Sequence, residues 1–191
     1  MIKRQDAINL LKKYIKTENT IKHMIACEAI MRALAKLFDP ENEEAWAMAG
    51  LLHDLDYEQF KDGNYSKHGE MSVEILKKEN ADLPESVYQA IKAHSFNLRP
   101  EFAPKTKMDW SLFIGDSLTG LIVATTLVRP DKKLSSVTVD SVLKKFKSPS
   151  FAAGTRREDI KLCQEKLGLS LEEFIALSLE AMQKIALQLG L

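Results

Sequence analysis

The sequence predicts an all-α protein, a helical bundle with a C-terminal helical extension. Apolar residues recur at spacings of three and four along nearly the whole chain, the period of one helix face. Cap residues and prolines interrupt that pattern at helix-length intervals. Only "LSSVTVDSV" alternates in the manner of a strand, and it is short.

Taken in order, "MIKRQDAINLLKKYIK" is an amphipathic helix. A second helix is expected from Ile21 to Phe38, with Ile21, Met24, Ile25, Ala29, Leu34, Leu37 and Phe38 along its apolar stripe. Asn42 can cap a third, because its side-chain oxygen can accept a free N–H of the first turn. That helix runs through Trp46, Met48, Leu51 and Leu52 into His53-Asp54. "DYEQFKDGNYSKHGE" reads as a loop broken at Asp62-Gly63-Asn64, with Ser66 placed to cap a helix starting near His68. Pro84 suits the first turn of a helix ending near His94. After the proline-bearing loop "NLRPEFAPKTK", Asp109 opens the strongly apolar "WSLFIGDSLTGLIVATTLV", which Arg129-Pro130 closes.

Beyond Pro130 the chain turns polar and basic, with a short helix from Thr138 to Phe146 and a Ser/Gly loop. Thr155 with Glu158, and Ser170 with Glu173, form capping-box patterns that open two further helices. The last, through Phe174, Leu177, Met182, Ile185 and Leu189, is amphipathic. We therefore expect residues 1–130 to form the core and residues 131–191 an extension packed on it, one compact domain overall. Tryptophans 46 and 110 fall at helical spacing with other apolar residues and read as core.

A chain of 191 residues can bury a substantial core. Its 27 Lys+Arg balance 27 Asp+Glu, which gives no argument for a nucleic-acid polymer or a membrane as partner. No apolar run is long enough to be expected to cross a bilayer, and the N-terminus lacks the pattern of a secretory signal. Cys27 and Cys163 have no CxxC spacing and read as reduced core thiols of a cytoplasmic protein.

Function is carried by the histidines. All 4 of them, with two aspartates, form one ordered series: His23, His53-Asp54, His68, His94 and Asp116. Any one of these has a plainer explanation, since a lone imidazole near a helix end more often caps it or faces solvent. Asp116 in an apolar helix, and an adjacent His-Asp pair at the end of another, are different. Burying such groups is costly without partners, and a divalent transition ion partners both imidazole and carboxylate. His53 and Asp54 project about 100° apart on a helix of ~3.6 residues per turn. They can share an ion only over the groove between them, which frees the second Asp54 oxygen to bridge to another ion.

The series His23, His53-Asp54 and Asp116 resembles the H…HD…D signature of the HD-domain superfamily of metal-dependent phosphohydrolases, which are all-helical. His68 and His94 fall where two-metal members carry extra histidines. The text "AGLLHDLDYE…HG…AIKAH…GDSLTGLI…LVRP…SVLKKFK…FAAGTRRE" resembles, over nearly the whole chain, a bacterial and archaeal subgroup of predicted HD hydrolases. Many relatives read HDIG, whereas this chain reads His53-Asp54-Leu55-Asp56, with a carboxylate in place of the small residue. The resemblance implies that His23, His53, Asp54 and Asp116 hold one divalent transition ion. His68 and His94, with Asp54 as bridge, would hold a second. Such donors do not distinguish Fe, Mn, Zn, Co or Ni, and Mg is open as well. It further implies that Asp54 is central to catalysis, with a hydroxide formed at the metals attacking phosphorus, because a bound ion lowers the pKa of water to about 7.

A small phosphorylated substrate, a nucleotide or a related ester, calls for cations beside the metals. Among the basic residues Arg99, Lys144, Lys145, Lys147, Arg156 and Arg157, we select Arg99, Lys145, Lys147 and Arg156 as substrate contacts. Asp56, Tyr57 and Glu58 could orient ligands from behind, with Glu58 more simply a loop carboxylate. Thr119 lies one turn from Asp116, and Gly120 could let another backbone approach that helix. Two other functions use the same ligands: a di-iron centre that activates dioxygen, and a non-catalytic binding protein whose metals fix the helices. The apolar C-terminal helix also allows a homodimer.

Overall fold

The computed structural model describes residues 1–60 and 63–191, so Asp62 of the expected loop break lies outside the described residues. The described residues form α-helices and short 3-10 and π turns, with no strand among them. The helices are α1 (Arg4–Tyr14), α2 (Glu18–Phe38), α3 (Glu43–Leu52), α4 (Glu70–Lys78) and α5 (Glu85–Ala93). They continue with α6 (Lys107–Leu127), α7 (Val139–Phe146), α8 (Arg157–Lys161), α9 (Leu171–Lys184) and α10 (Ala186–Leu189).

The bundle is organised around two long helices. α2 packs chiefly on α3, α6 and α9, while α6 packs on α2, α5, α7, α8 and α9. Every residue of α3 from Ala45 to Leu52 is buried, which explains its uninterrupted apolar text. Trp46, Phe113 and Phe174 are among the largest fully buried side chains. Each aliphatic or phenyl side chain so buried contributes roughly 1.5–3 kcal/mol. Trp110, expected in the core, is half-buried and stacks edge-on with Phe96 and Phe113 instead.

α3 can lie this close to α2 because residue 50 is glycine. A Cβ there would stand 2.7 Å from the backbone oxygen of Cys27. The carbonyl of Gly50 is thereby fixed one turn behind His53.

α6 meets the length and composition of a membrane-spanning helix, contrary to the expectation that no apolar run was long enough. It is mostly buried inside the bundle, so its apolar character is that of a core helix. Its N-terminus is set by Thr106, three residues before the expected Asp109. Thr106 and Asp109 form a capping box. Thr138 with Ser141, and Ser170 with Glu173, do the same for α7 and α9.

Three expected caps fail. Asn42 precedes α3 but donates to Asp39 rather than capping (2.8 Å). Thr155 does not cap α8, where Arg156 occupies the cap position without a side-chain bond. Ser66 does not cap α4, which starts later, after Gly69 at φ 77°. There the capping is done from a distant segment: the buried carboxylate of Asp56 accepts from the N–H of Gly69 (2.7 Å) and of Ser72 (3.0 Å).

Candidate metal centre

The six expected ligands converge. His23 lies in the second turn of α2, because that helix begins three residues before the expected start. His53 and Asp54 follow the last turn of α3, His68 precedes α4, His94 follows α5, and Asp116 sits in the middle of α6. His53, His94, His68 and Asp54 are buried, whereas the side chains of His23 (26% exposed) and Asp116 (18% exposed) face an opening.

Each imidazole is held by its Nδ1. His53 Nδ1 donates to the Gly50 carbonyl (2.9 Å), and His94 Nδ1 to the Ile91 carbonyl. His68 Nδ1 donates to Asp56 Oδ1 (2.9 Å). Thr119 spends its single hydroxyl proton on the Asp116 carbonyl (2.7 Å), so its oxygen accepts from His23 Nδ1 (3.0 Å). With every Nδ1 committed as donor, the four Nε2 lone pairs are left to a common centre.

They crowd there. Nε2 of His23 and His53 are 3.3 Å apart, and those of His68 and His94 are 3.0 Å apart. Two lone pairs at such a distance repel unless a cation lies between them. Asp54 lies between the two pairs. Its Oδ1 is 3.3 Å from His68 and from His94 and also 3.6 Å from His53 Nε2, and its Oδ2 is 3.7 Å from His23. Asp116 Oδ1 completes the first group, 3.1 Å from His23 and 3.8 Å from His53. Imidazoles and carboxylates gathered this way are the donor set of divalent transition ions, and the residues fit such a metal.

The electrostatics agree. Burial disfavours the charged form of His53, but Asp54, Cys27 and Asp116 together outweigh it and raise the pKa to about 9. His23 is also raised against burial, by Cys27 and Asp116, and His68 by its bond to Asp56. His94 is lowered, by burial first and then by His68 and His53. Burial works to raise the pKa of Asp54 and Asp116, yet the surrounding histidines hold both below the usual carboxylate range. The two carboxylates thus make the centre favourable to positive charge.

Around the ligands sits a supporting layer. Asp56, fully buried, anchors His68 and caps α4 with the same two oxygens. Ser72 Oγ donates to the His53 carbonyl (2.9 Å) and accepts from the Asp56 N–H (3.0 Å). Glu58 is more than a loop carboxylate: it accepts from the backbone N–H of Lys16 (2.9 Å) and Thr17 (2.7 Å), just ahead of α2. Gly69 is required both by its positive φ and by space, since a Cβ there would lie 2.9 Å from the Ile91 oxygen and 3.3 Å from His94. Sequence reasoning missed Gly50, Gly69 and Ser72 altogether. Glycine directly after a candidate ligand was the available signal for Gly69.

The four expected substrate contacts separate. Arg156 reaches the centre: its Nη2 donates to Asp116 Oδ2 (3.2 Å) and its Nε to Asp159 (2.6 Å). Arg99 is engaged elsewhere, bonding the Ser66 carbonyl (2.7 Å), Glu70 (3.1 Å) and Glu101 (2.7 Å) and tying the segments before α4 and after α5 together. Lys145 lies over the Phe151 ring, 4.4 Å from its centroid. Lys147 is exposed at the end of α7. A cleft of about 320 Å³ joins His23, Asp116, Thr119 and Gly120 to the loop Ala152, Gly154, Thr155 and Arg156. A second cavity of about 350 Å³ shares His23, Thr119 and Gly120 with it and is walled by Val123, Leu127, Leu189 and Leu191, with Asn19 and Lys22 also lining it. Gly120 does not admit a neighbouring backbone, as its sequence position suggested; nothing lies within 4 Å of where its Cβ would be. A larger hollow of about 590 Å³ contains none of the six ligands and is lined by Glu41, Glu43, Glu44 and Asp82, an unfavourable surround for an anion.

A family model for the HD domain matches residues 20–151, a span that contains all six ligands. The chain belongs to the HD domain family. Comparisons with curated proteins and with solved structures gave no match.

Proposed function

We propose that this HD-domain protein is a metal-dependent phosphohydrolase that holds two divalent ions and acts on a small phosphorylated molecule. The observation that carries the reading is the central position of Asp54, whose Oδ1 lies 3.3 Å from His68 and His94 and 3.6 Å from His53 while its Oδ2 faces His23. In this reading His23, His53, Asp54 and Asp116 hold one ion, and His68, His94 and Asp54 the other. Bound there, the ions supply Lewis acidity toward phosphoryl oxygens and a water that ionises near neutral pH.

The chain's own residues do the rest. Thr119, Gly50, Ile91 and Asp56 fix the imidazole rings through Nδ1, so no ring must reorient as the substrate binds. Arg156 reaches the cleft with two of its nitrogens paired to Asp116 and Asp159, and its Nη1 is the nitrogen we assign to a phosphate oxygen. The mostly apolar cavity beyond Gly120 takes the leaving group, be it a nucleoside or another alcohol.

The test is elemental analysis of protein purified without chelator, paired with phosphate release across a panel of nucleotides and simple phosphate esters. About two transition ions per chain with phosphate release support the reading. A doubly substituted His53→Ala/Asp54→Ala protein should lose both metal and activity, and an undiminished rate in it would overturn the reading. Two irons without hydrolysis would redirect the assignment to oxygen chemistry.

A further inference from the structure

One donor at the centre belongs to neither the expected ligand set nor the supporting layer. Cys27 follows His23 by four residues on the same face of α2 and is 1% exposed. Its Sγ lies 3.8 Å from His23 Nε2, the ring nitrogen that the Thr119 bond leaves unprotonated. Donor atoms of Cys27, His23, His53 and Asp116 all lie within 4.8 Å of one another. A thiol in this place could be ordinary packing between α2 and α3, and sequence reasoning read it so. Three observations argue otherwise. The sulfur points at a ligand lone pair instead of into the apolar core. The fully buried His53 presents its own Nε2 to the same spot, 3.3 Å from that of His23. And the donors are gathered closely enough for one ion: Sγ is 3.8 Å from His23 Nε2, His23 is 3.3 Å from His53 and 3.1 Å from Asp116, and His53 is 3.8 Å from Asp116. These values fall on either side of the separation of about 3.3–3.7 Å between neighbouring donors bonded at about 2.0–2.3 Å.

We infer that Cys27 is a thiolate ligand of the ion held by His23, His53, Asp54 and Asp116, giving that site a preference for thiophilic metals. When the ion binds, the sulfur–hydrogen bond gives way to a sulfur–metal bond and the proton leaves to solvent; no electron is transferred. Sulfur favours zinc, cobalt and cadmium over manganese and magnesium, so the two metal positions of this chain differ in the ions they select. This inference rests on the metal centre and is independent of which reaction the centre performs.

The experiment is anaerobic loading of the full chain with cobalt(II), with cobalt content measured alongside the absorption spectrum. The expected result is a near-ultraviolet sulfur-to-cobalt charge-transfer band that grows with the first equivalent. The band should persist in Cys163→Ser, because Cys163 lies far along the chain in the π turn after α8. It should vanish in Cys27→Val, which keeps the site packed, and in Cys27→Ser, with cobalt still bound. Cadmium affinity should fall roughly 10–100-fold in both variants while manganese affinity holds. Cobalt-loaded wild-type protein without the band overturns the inference even if neither variant folds, as does a band that survives loss of Cys27. Phosphate release by a protein lacking the band would leave the hydrolase reading standing and remove only this ligand.

Discussion

Nε2 of His68 and Nε2 of His94 face each other at 3.0 Å, and each ring has already given its Nδ1 proton to a fixed acceptor. Neither neutral ring can donate to the other, so the contact is stable only with a cation between or beside them. The acceptor behind His68 is Asp56, which also receives the N–H groups of Gly69 and Ser72.

Asp56→Asn tests that support. An amide carries only one oxygen, so it cannot accept all three bonds, and its NH2 meets donors. The expected outcome is a loss of roughly 1.5–3 kcal/mol in stability, read by chemical denaturation of metal-free protein. Affinity at the His68/His94 position should fall roughly 10–100-fold, read by metal titration. Unchanged affinity would mean that His68 does not depend on its Asp56 bond.

Gly50→Ala tests the close approach of α3 to α2. The new methyl would sit 2.7 Å from a backbone oxygen, which cannot swing away as a flexible side chain could. Overpacking of this kind costs roughly 1–3 kcal/mol and should displace the carbonyl that orients His53. The denaturation midpoint and the metal content should therefore fall together. A drop in stability with full metal content would uncouple the helix contact from the site.

The pH dependence should change sign on metal loading. His53 in the metal-free fold has its pKa raised from 6.5 to about 9. Its contribution to stability is complete below pH about 6.5 and is lost as the pH rises to about 9, because the unfolded chain releases that proton first. His23 and His68, also raised, act in the same direction. His94, lowered, acts oppositely and on the acid side of 6.5. Metal-free protein should thus melt at lower temperature at pH 9 than at pH 6.5. Zinc-loaded protein should gain from the same change, because ions and protons compete for the same nitrogens. Thermal melts of both forms across this window decide it.

Gly120→Leu tests the cleft. Since nothing lies within 4 Å of the missing Cβ, the larger side chain has room and should leave folding and metal content intact. It should raise KM for esters with bulky leaving groups by about tenfold and leave the smallest ester unaffected, a pattern of lost ground-state binding. Equal effects on all esters would place the leaving group elsewhere.

How much of this was legible in the sequence depends on whether a feature is local. The helices were, because a period of three and four reports the face each one buries, and α3 from Ala45 to Leu52 even showed its complete burial as unbroken apolar text. The convergence of the six residues was also legible: costly groups such as Asp116 in an apolar helix, or His53 beside Asp54, demand partners wherever they fall. Caps were read well only when cap and helix were neighbours, as at Ser170 and Glu173. The cap of α4 escaped because Asp56 supplies it from 13 residues before Gly69. Cys27 escaped for a related reason: a thiol on an apolar stripe looks the same in sequence whether it packs or points at a ligand. The cations were least legible, since charge says nothing about direction, and Arg99 and Arg156 differ only in which carboxylates the fold brings to them.

The adjacent arginines 156 and 157 show what that direction is worth. Arg157 turns away from the cleft and gathers backbone oxygens of Phe146 (2.9 Å), Ser148 (3.0 Å), Phe151 and Ala152 (3.3 Å) around one guanidinium. The loop that walls the cleft, besides resting Phe151 and Ala152 on the core, is therefore held by its own backbone oxygens. It is moulded in large part around a single guanidinium, whose fixed fork of N–H donors meets the loop's carbonyl oxygens. The placement of the cleft-facing arginine is in this sense inherited from its neighbour, and evolution can redraw the rim of the site by altering loop residues whose side chains the clasp never touches.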